Sequence, residues 1–214
     1  MIGPDQRRII DISQVLGPQT PVWPGDTPVE SGVRWDHGVD SPVRVSWFRS
    51  STHGGTHADA PLHYDPSGAA IDAVDLHAYL GRVRVIDVRG CGALVTADML
   101  RPWLTERIER VLLRTFERFP HDRWPDGFAA VSPEAIDLLA AHGVLLIGTD
   151  TPSLDPETSK TMDAHQAVRR AGIRVLEGLV LDHVASGDYE LIALPLPLAG
   201  LDAAPVRAVL RTLS

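Results

Sequence analysis

The sequence contains a single cysteine, Cys91, and a single lysine, Lys160, in 214 residues. One cysteine allows no intrachain disulfide, gives no sign of an oxidising compartment, and argues against a structural zinc site, which is usually rich in cysteine. No apolar run approaches the roughly 18 residues of a membrane span. The most apolar stretch, residues 191–201, is interrupted by Pro195 and Pro197. The opening "MIGPDQRRIIDIS" lacks the apolar segment of a secretory signal. A cytoplasmic protein without membrane association is the expectation. Basic charge is also scarce, with 20 Lys and Arg against 28 Asp and Glu, for a net charge of −8. The arginines are scattered, whereas neutralising phosphates needs clustered cations, so no nucleic-acid partner is expected.

What is present suits a globular fold. Hydrophobic residues make up 44 % of the chain. The length supports one domain, residues 1–214, with a sizeable core. Eighteen glycines and seventeen prolines, spread throughout, suit many short elements joined by tight turns. "RIIDIS" (8–13) reads as an early strand, and "PVRVSWFRSS" alternates apolar and polar residues as a half-buried strand would. "VRVIDVRG", "ERVLLRT", "VLLIGTD" and "IRVLEGL" are further strands. "SPEAIDLLAAHG" reads as a helix capped by Ser132, with Pro133 in its first turn and Gly143 at its stop. "TMDAHQAVRRAG" is a second helix, ended by Gly172. "DYELIALPLPL" is an extended strand or strand pair with edge prolines, and "PVRAVLRTL" is read as strand. Strands outnumber helices, which places the chain among α/β or α+β folds.

The densest chemistry lies in "STHGGTHADAPLH" (51–63), with His53, His57, Asp59 and His63 inside eleven residues. Gly54, Gly55 and Pro61 argue against a helix, so the stretch is expected to be a loop in which the glycines let His53 and His57 meet. Imidazoles and a carboxylate suit zinc or manganese, and the two oxygens of Asp59 could bridge two ions. A polar surface turn is the plain alternative. An oxyanion-hole loop is the third, because "HGG" occurs in lipases and esterases. That reading requires G-x-S-x-G, which the chain does not contain.

"HGGTHADAPLH" resembles the H-x-G-T-H-x-D-x-P-x-H signature of the metal-dependent cyclase family, which includes bacterial kynurenine formamidases (arylformamidases) and isatin hydrolases. "TPVWPGDTP", "ERVLLRT", "IGTDTPSLDP" and "GDYELIALPLPLAGLDAAPVRAVLR" are also similar to formamidase sequences, so the resemblance covers nearly the whole chain. It implies a swivelling β/β/α fold, a homodimer, and two divalent metal ions, Zn2+ or Mn2+. His53 and His57 would bind the first ion, His165 the second, and Asp59 and Glu177 both. His63 would be the general acid/base, and Trp23 would line the substrate pocket. The implied reaction hydrolyses N-formyl-L-kynurenine to L-kynurenine and formate in tryptophan catabolism; the alternative is a cyclic amide, as in isatin hydrolase. Asp150, at the end of "LLIGTD", is a candidate to orient a metal ligand or to cap the next turn. His37, His77, His121, His142 and His183 have no motif around them and read as solvated or structural.

Overall fold

The computed structural model describes residues 7–213. Its first half contains β1 (Ile9–Asp11), β2 (Glu30–Trp35), β3 (Val45–Arg49), β4 (His57–Asp59), β5 (Leu80–Asp87), β6 (Leu94–Val95), α1 (Ala97–Leu100) and β7 (Arg110–Arg114). The remainder contains β8 (Ala130–Val131), α2 (Pro133–Ala141), β9 (Leu146–Thr149), α3 (Asp163–Ala171), β10 (Arg174–Glu177), β11 (Gly187–Ile192), β12 (Ala203–Pro205) and β13 (Val209–Thr212). This is a mixed α/β fold rich in strands.

Nine strands form one sheet in the order β1-β13-β11-β5-β7-β9-β10-β4-β12. The centre, β5-β7-β9-β10, is parallel, and antiparallel strands flank it on both sides. Both faces of the centre are buried. Val111, Leu113, Ile147 and Val175 point to the side covered by α2 and α3, where they meet Ile136, Leu139 and Val168. Leu112, Leu146 and Leu176 point the other way, into a second core with Val83, Leu191 and Leu210. The period of two in "RVLLR" and "RVLE" thus feeds two cores at once, so these strands read as continuous apolar runs. The sheet curls, and Val180 N–H donates to Ile12 O at 2.9 Å between segments that follow β10 and β1.

Ser132 caps α2 by accepting from Ala135 N at 3.1 Å, and Gly172 ends α3 in a left-handed conformation. Two expectations need correction. The segment "PVRVSWFRSS" is a strand, but every residue of β3 is exposed. It pairs only with β2 in a two-stranded ribbon with no layer packed on it, so the alternation does not produce a half-buried face. The metal-motif segment is also not a loop throughout. Its two ends turn, and its middle is extended. His57, Ala58 and Asp59 form β4, fully buried and paired on one side with β10 and on the other with β12.

Candidate metal centre

The functional side chains meet at the carboxyl ends of β9 and β10, the edge where open α/β sheets generally bind ligands. β4 runs antiparallel to β10, so its first residue, His57, lies directly beside the last, Glu177. The "HGGTH" turn reaches this edge through two close approaches. Gly55 has φ +65°, and Gly178 has φ +64° with space for a Cβ only 2.5 Å from Gly55 O. A side chain at Gly178 would push the histidine turn off the strand that carries Glu177. Thr56 fastens the same contact, donating from Oγ1 to Gly178 O at 2.6 Å and accepting from Gln14 N at 2.8 Å. After β4, Pro61 opens a short 3-10 turn that ends on His63.

His165 comes from the first turn of α3, and it is buried at 1 % exposure, not displayed on a helix surface. Met162 precedes the helix in a left-handed conformation and contributes no cap. Asp155 supplies one from a distance. Its carboxylate accepts from Ala164 N at 2.8 Å and His165 N at 3.0 Å, and its Oδ2 lies 2.6 Å from His165 Nδ1. The same group therefore caps the helix and fixes the ring.

Five of the residues singled out in the sequence converge. His53 Nδ1 and His57 Nε2 lie 3.1 and 3.3 Å from Asp59 Oδ1, and His165 Nε2 lies 3.3 Å from the other oxygen, Oδ2. Glu177 divides in the same way, with Oε2 3.4 Å from His57 Nε2 and Oε1 3.5 Å from His165 Nε2. Each carboxylate faces one oxygen to each side. The far ring nitrogens are occupied: His57 Nδ1 by Gly55 O at 2.9 Å, His165 Nδ1 by Asp155, and His53 Nε2 by Asp202 Oδ2 at 3.1 Å. The inward nitrogens are thereby left as lone-pair donors. His57 Nε2 and Asp59 Oδ1 are buried without a hydrogen-bond partner. Such orphans are costly in a core and fit groups that ligate a cation. The donor set, imidazoles and shared carboxylates, fits two divalent ions.

Electrostatics agree with this packing. Burial alone would lower the His57 and His165 pKa values, but Asp59 and Glu177 beside the first, and Asp155 and Asp59 beside the second, raise both to about 10. His53 is likewise raised to about 9, against burial, by Asp202 and Asp59. Burial works against the Asp59 carboxylate too, yet the surrounding histidines hold its pKa well below the usual range. The carboxylates thus favour positive charge where a metal would sit, and metal uptake should release protons from the imidazoles. His63 differs: burial lowers its pKa below the ordinary imidazole value.

A cavity of about 320 Å³ opens beside this cluster, with His53, His57, His63 and Glu177 in its wall. Trp23, Trp124 and Phe119 line the same cavity. Trp23 meets Trp124 edge-on, with ring centroids 5.4 Å apart, and at 36% exposure it lines the cavity and is not sealed in a core. Asp26 and Glu157 add carboxylates to the lining.

Over residues 10–156 the sequence matches the model of the Cyclase family. The chain belongs to the Cyclase family. Solved structures similar to this cyclase-family chain include a predicted metal-dependent hydrolase from Bacillus stearothermophilus, 26% identical with a TM-score of 0.82, covering 95% of this chain and 98% of that one. An isatin hydrolase bound to the product analogue thioisatinate is 26% identical with a TM-score of 0.82, covering 97% and 93%. Isatin hydrolase A from Labrenzia aggregata, bound to benzyl benzoate, is 25% identical with a TM-score of 0.82, covering 97% and 94%.

The sequence leaves Asp150 open between orienting a metal ligand and capping a turn, and it does not single out Asp155 or Asp202. Asp150 touches none of the clustered histidines. Its carboxylate accepts from Thr115 N, Thr115 Oγ1 and Phe116 N, holding the segment after β7 that enters the cavity wall. The ring of His165 is oriented by Asp155 instead, five residues on.

Proposed function

We propose that the protein is an arylformamidase, a metal-dependent hydrolase that converts N-formyl-L-kynurenine to L-kynurenine and formate in tryptophan catabolism. The observation that carries this reading is the way Asp59 and Glu177 each turn one oxygen toward His57 and the other toward His165. In this reading His53 and His57 hold one divalent ion and His165 a second, with Asp59 and Glu177 shared; Zn2+ and Mn2+ both suit the donors. When bound, such ions make a water nucleophile available at neutral pH and draw electrons from a carbonyl oxygen.

The chain's own groups do the rest. His63 takes the proton from the attacking water as the oxygen–carbon bond forms. It returns that proton to the aniline nitrogen as the carbon–nitrogen bond breaks, so a poor leaving group departs as a neutral amine. Trp23 and Trp124 offer flat apolar faces to the aryl ring and keep bulk water from the amide. Asp26 and Glu157, in the same lining, offer partners for the α-ammonium group of the substrate.

A second reading, hydrolysis of a cyclic aryl amide, is favoured by the similarity to isatin hydrolases and would use the same groups. A structural metal site without catalysis is poorly supported, because a cavity and a further histidine adjoin the cluster.

The test is to incubate the purified protein with N-formylkynurenine or isatin, with and without a chelator, and to follow kynurenine absorbance and formate. Kynurenine release abolished by the chelator is expected. Turnover of isatin alone would replace the first reading with the second, and release insensitive to chelation would remove the metal from the mechanism. We also propose a homodimer, on the support of the exposed ribbon of β2 and β3, which carries Trp35, Trp47 and Phe48 on its surface.

A further inference from the structure

Outside the buried cluster, one carboxylate contacts two of its histidines from the solvent side. Asp202 lies just before β12, where its backbone carbonyl accepts from Ala60 N at 2.8 Å. Its Oδ2 lies 3.1 Å from His53 Nε2 and 3.5 Å from His63 Nδ1. Its other oxygen, Oδ1, accepts from Thr52 Oγ1 at 3.1 Å. The two rings that share Oδ2 are themselves in contact, with centroids 4.2 Å apart.

We propose that Asp202 is a positioning residue that sets the orientation and tautomer of both His53 and His63. The argument is geometric and rests on the metal-hydrolase reading above. An imidazole has two nitrogens on different edges, and a carboxylate on one fixes the proton there. His53 meets Asp59 through Nδ1 and Asp202 through Nε2, so a proton held toward Asp202 leaves Nδ1 as the inward donor. His63 meets Asp202 through Nδ1, which leaves Nε2 unprotonated, as a base that must accept a proton requires. One oxygen thus prepares a ligand and an acid/base group together. Thr52, next to His53 in sequence, keeps that carboxylate from swinging into water. At 3.5 Å the contact to His63 is long, as such contacts often are before substrate is present.

The alternative use of this trio, as a third cation site built from His53, His63 and Asp202, would require His53 to donate from both nitrogens at once. The positioning role makes no such demand.

Asp202→Ala in the zinc-loaded protein tests the proposal. The side chain is 42% exposed, so its truncation leaves the core intact. Zinc affinity, measured by chelator competition, is expected to fall about 10–100-fold, and kcat on an aryl formamide to fall in the same range with KM unchanged. Nitrogen-15 NMR of labelled histidine is expected to show His63 moving from the Nδ1–H form toward the Nε2–H form. An unchanged His63 tautomer, or unchanged zinc affinity, overturns the proposal. If the wild-type protein releases no formate from any aryl formamide, the functional reading fails, while the tautomer and zinc measurements still decide the role of Asp202.

Discussion

At the scale of single residues, the site in the proposed reading separates groups that would hold a metal from a group that would move a proton. His63 sits beside the first kind without sharing their environment. It offers a nitrogen to one candidate ligand group with Asp59 and His165, yet burial lowers its pKa, whereas against burial the neighbouring carboxylates raise those of His53, His57 and His165. His63→Ala is therefore expected to keep its full metal content by elemental analysis while losing about 10²–10⁴-fold in rate. Loss of a metal equivalent would make His63 a ligand and leave the acid/base role without an occupant. The residues read most directly from sequence were those packed into one short motif: His53, His57, Asp59 and His63 announce themselves by density. His165 and Glu177 came only with the family resemblance, because one buried helix histidine and one strand-end carboxylate carry no local signal. Asp155 and Asp202 lie inside "IGTDTPSLDP" and "LAGLDAAPV", segments already noted as formamidase-like. Nothing in a single chain says that an acidic side chain in a loop faces an imidazole.

At the scale of elements, antiparallel β4 with the turn before it, the start of α3 and the end of β10 bring the candidate ligands together, and the segments after β7 and β9 help build the cavity. Asp150 belongs to the second task. Burial pushes its carboxyl up to about 6, against the opposing effect of the Phe116 and Thr115 donors. Its folded-state pKa thus lies above the unfolded value of about 3.9. Between pH 6 and 4 the native chain binds a proton that the unfolded chain does not yet bind. The contribution of this group to stability is therefore fully present below about pH 4 and lost as pH rises through about 6. Asp150→Asn cannot titrate. Urea midpoints measured across this range should show the wild type losing stability relative to the variant as pH rises, and parallel curves would contradict the assignment. The helices were readable in the sequence because Ser132, Pro133, Gly143 and Gly172 are local stop and start signals. The exposure of β3 was not, since alternation reports a strand's two faces and not whether any layer covers them.

At the scale of the whole molecule, that uncovered ribbon is the feature that a lone chain leaves unexplained. Trp35 is 57% exposed, Trp47 49% and Phe48 63%, on strands that are hydrogen-bonded only to each other. A second copy is the proposed cover. Light scattering on the purified protein should give twice the chain mass, and a Trp47→Glu, Phe48→Glu double variant should give the monomer; a wild-type monomer would remove the dimer from the account.

Anomalous diffraction from crystals grown with zinc addresses the cluster most directly. Two peaks are predicted, one on the side of His53 and His57 and one on the side of His165, each within about 2.2 Å of an oxygen of Asp59 and of Glu177. A single peak, or peaks that leave either carboxylate out, would contradict the two-ion centre on which the proposed hydrolysis depends.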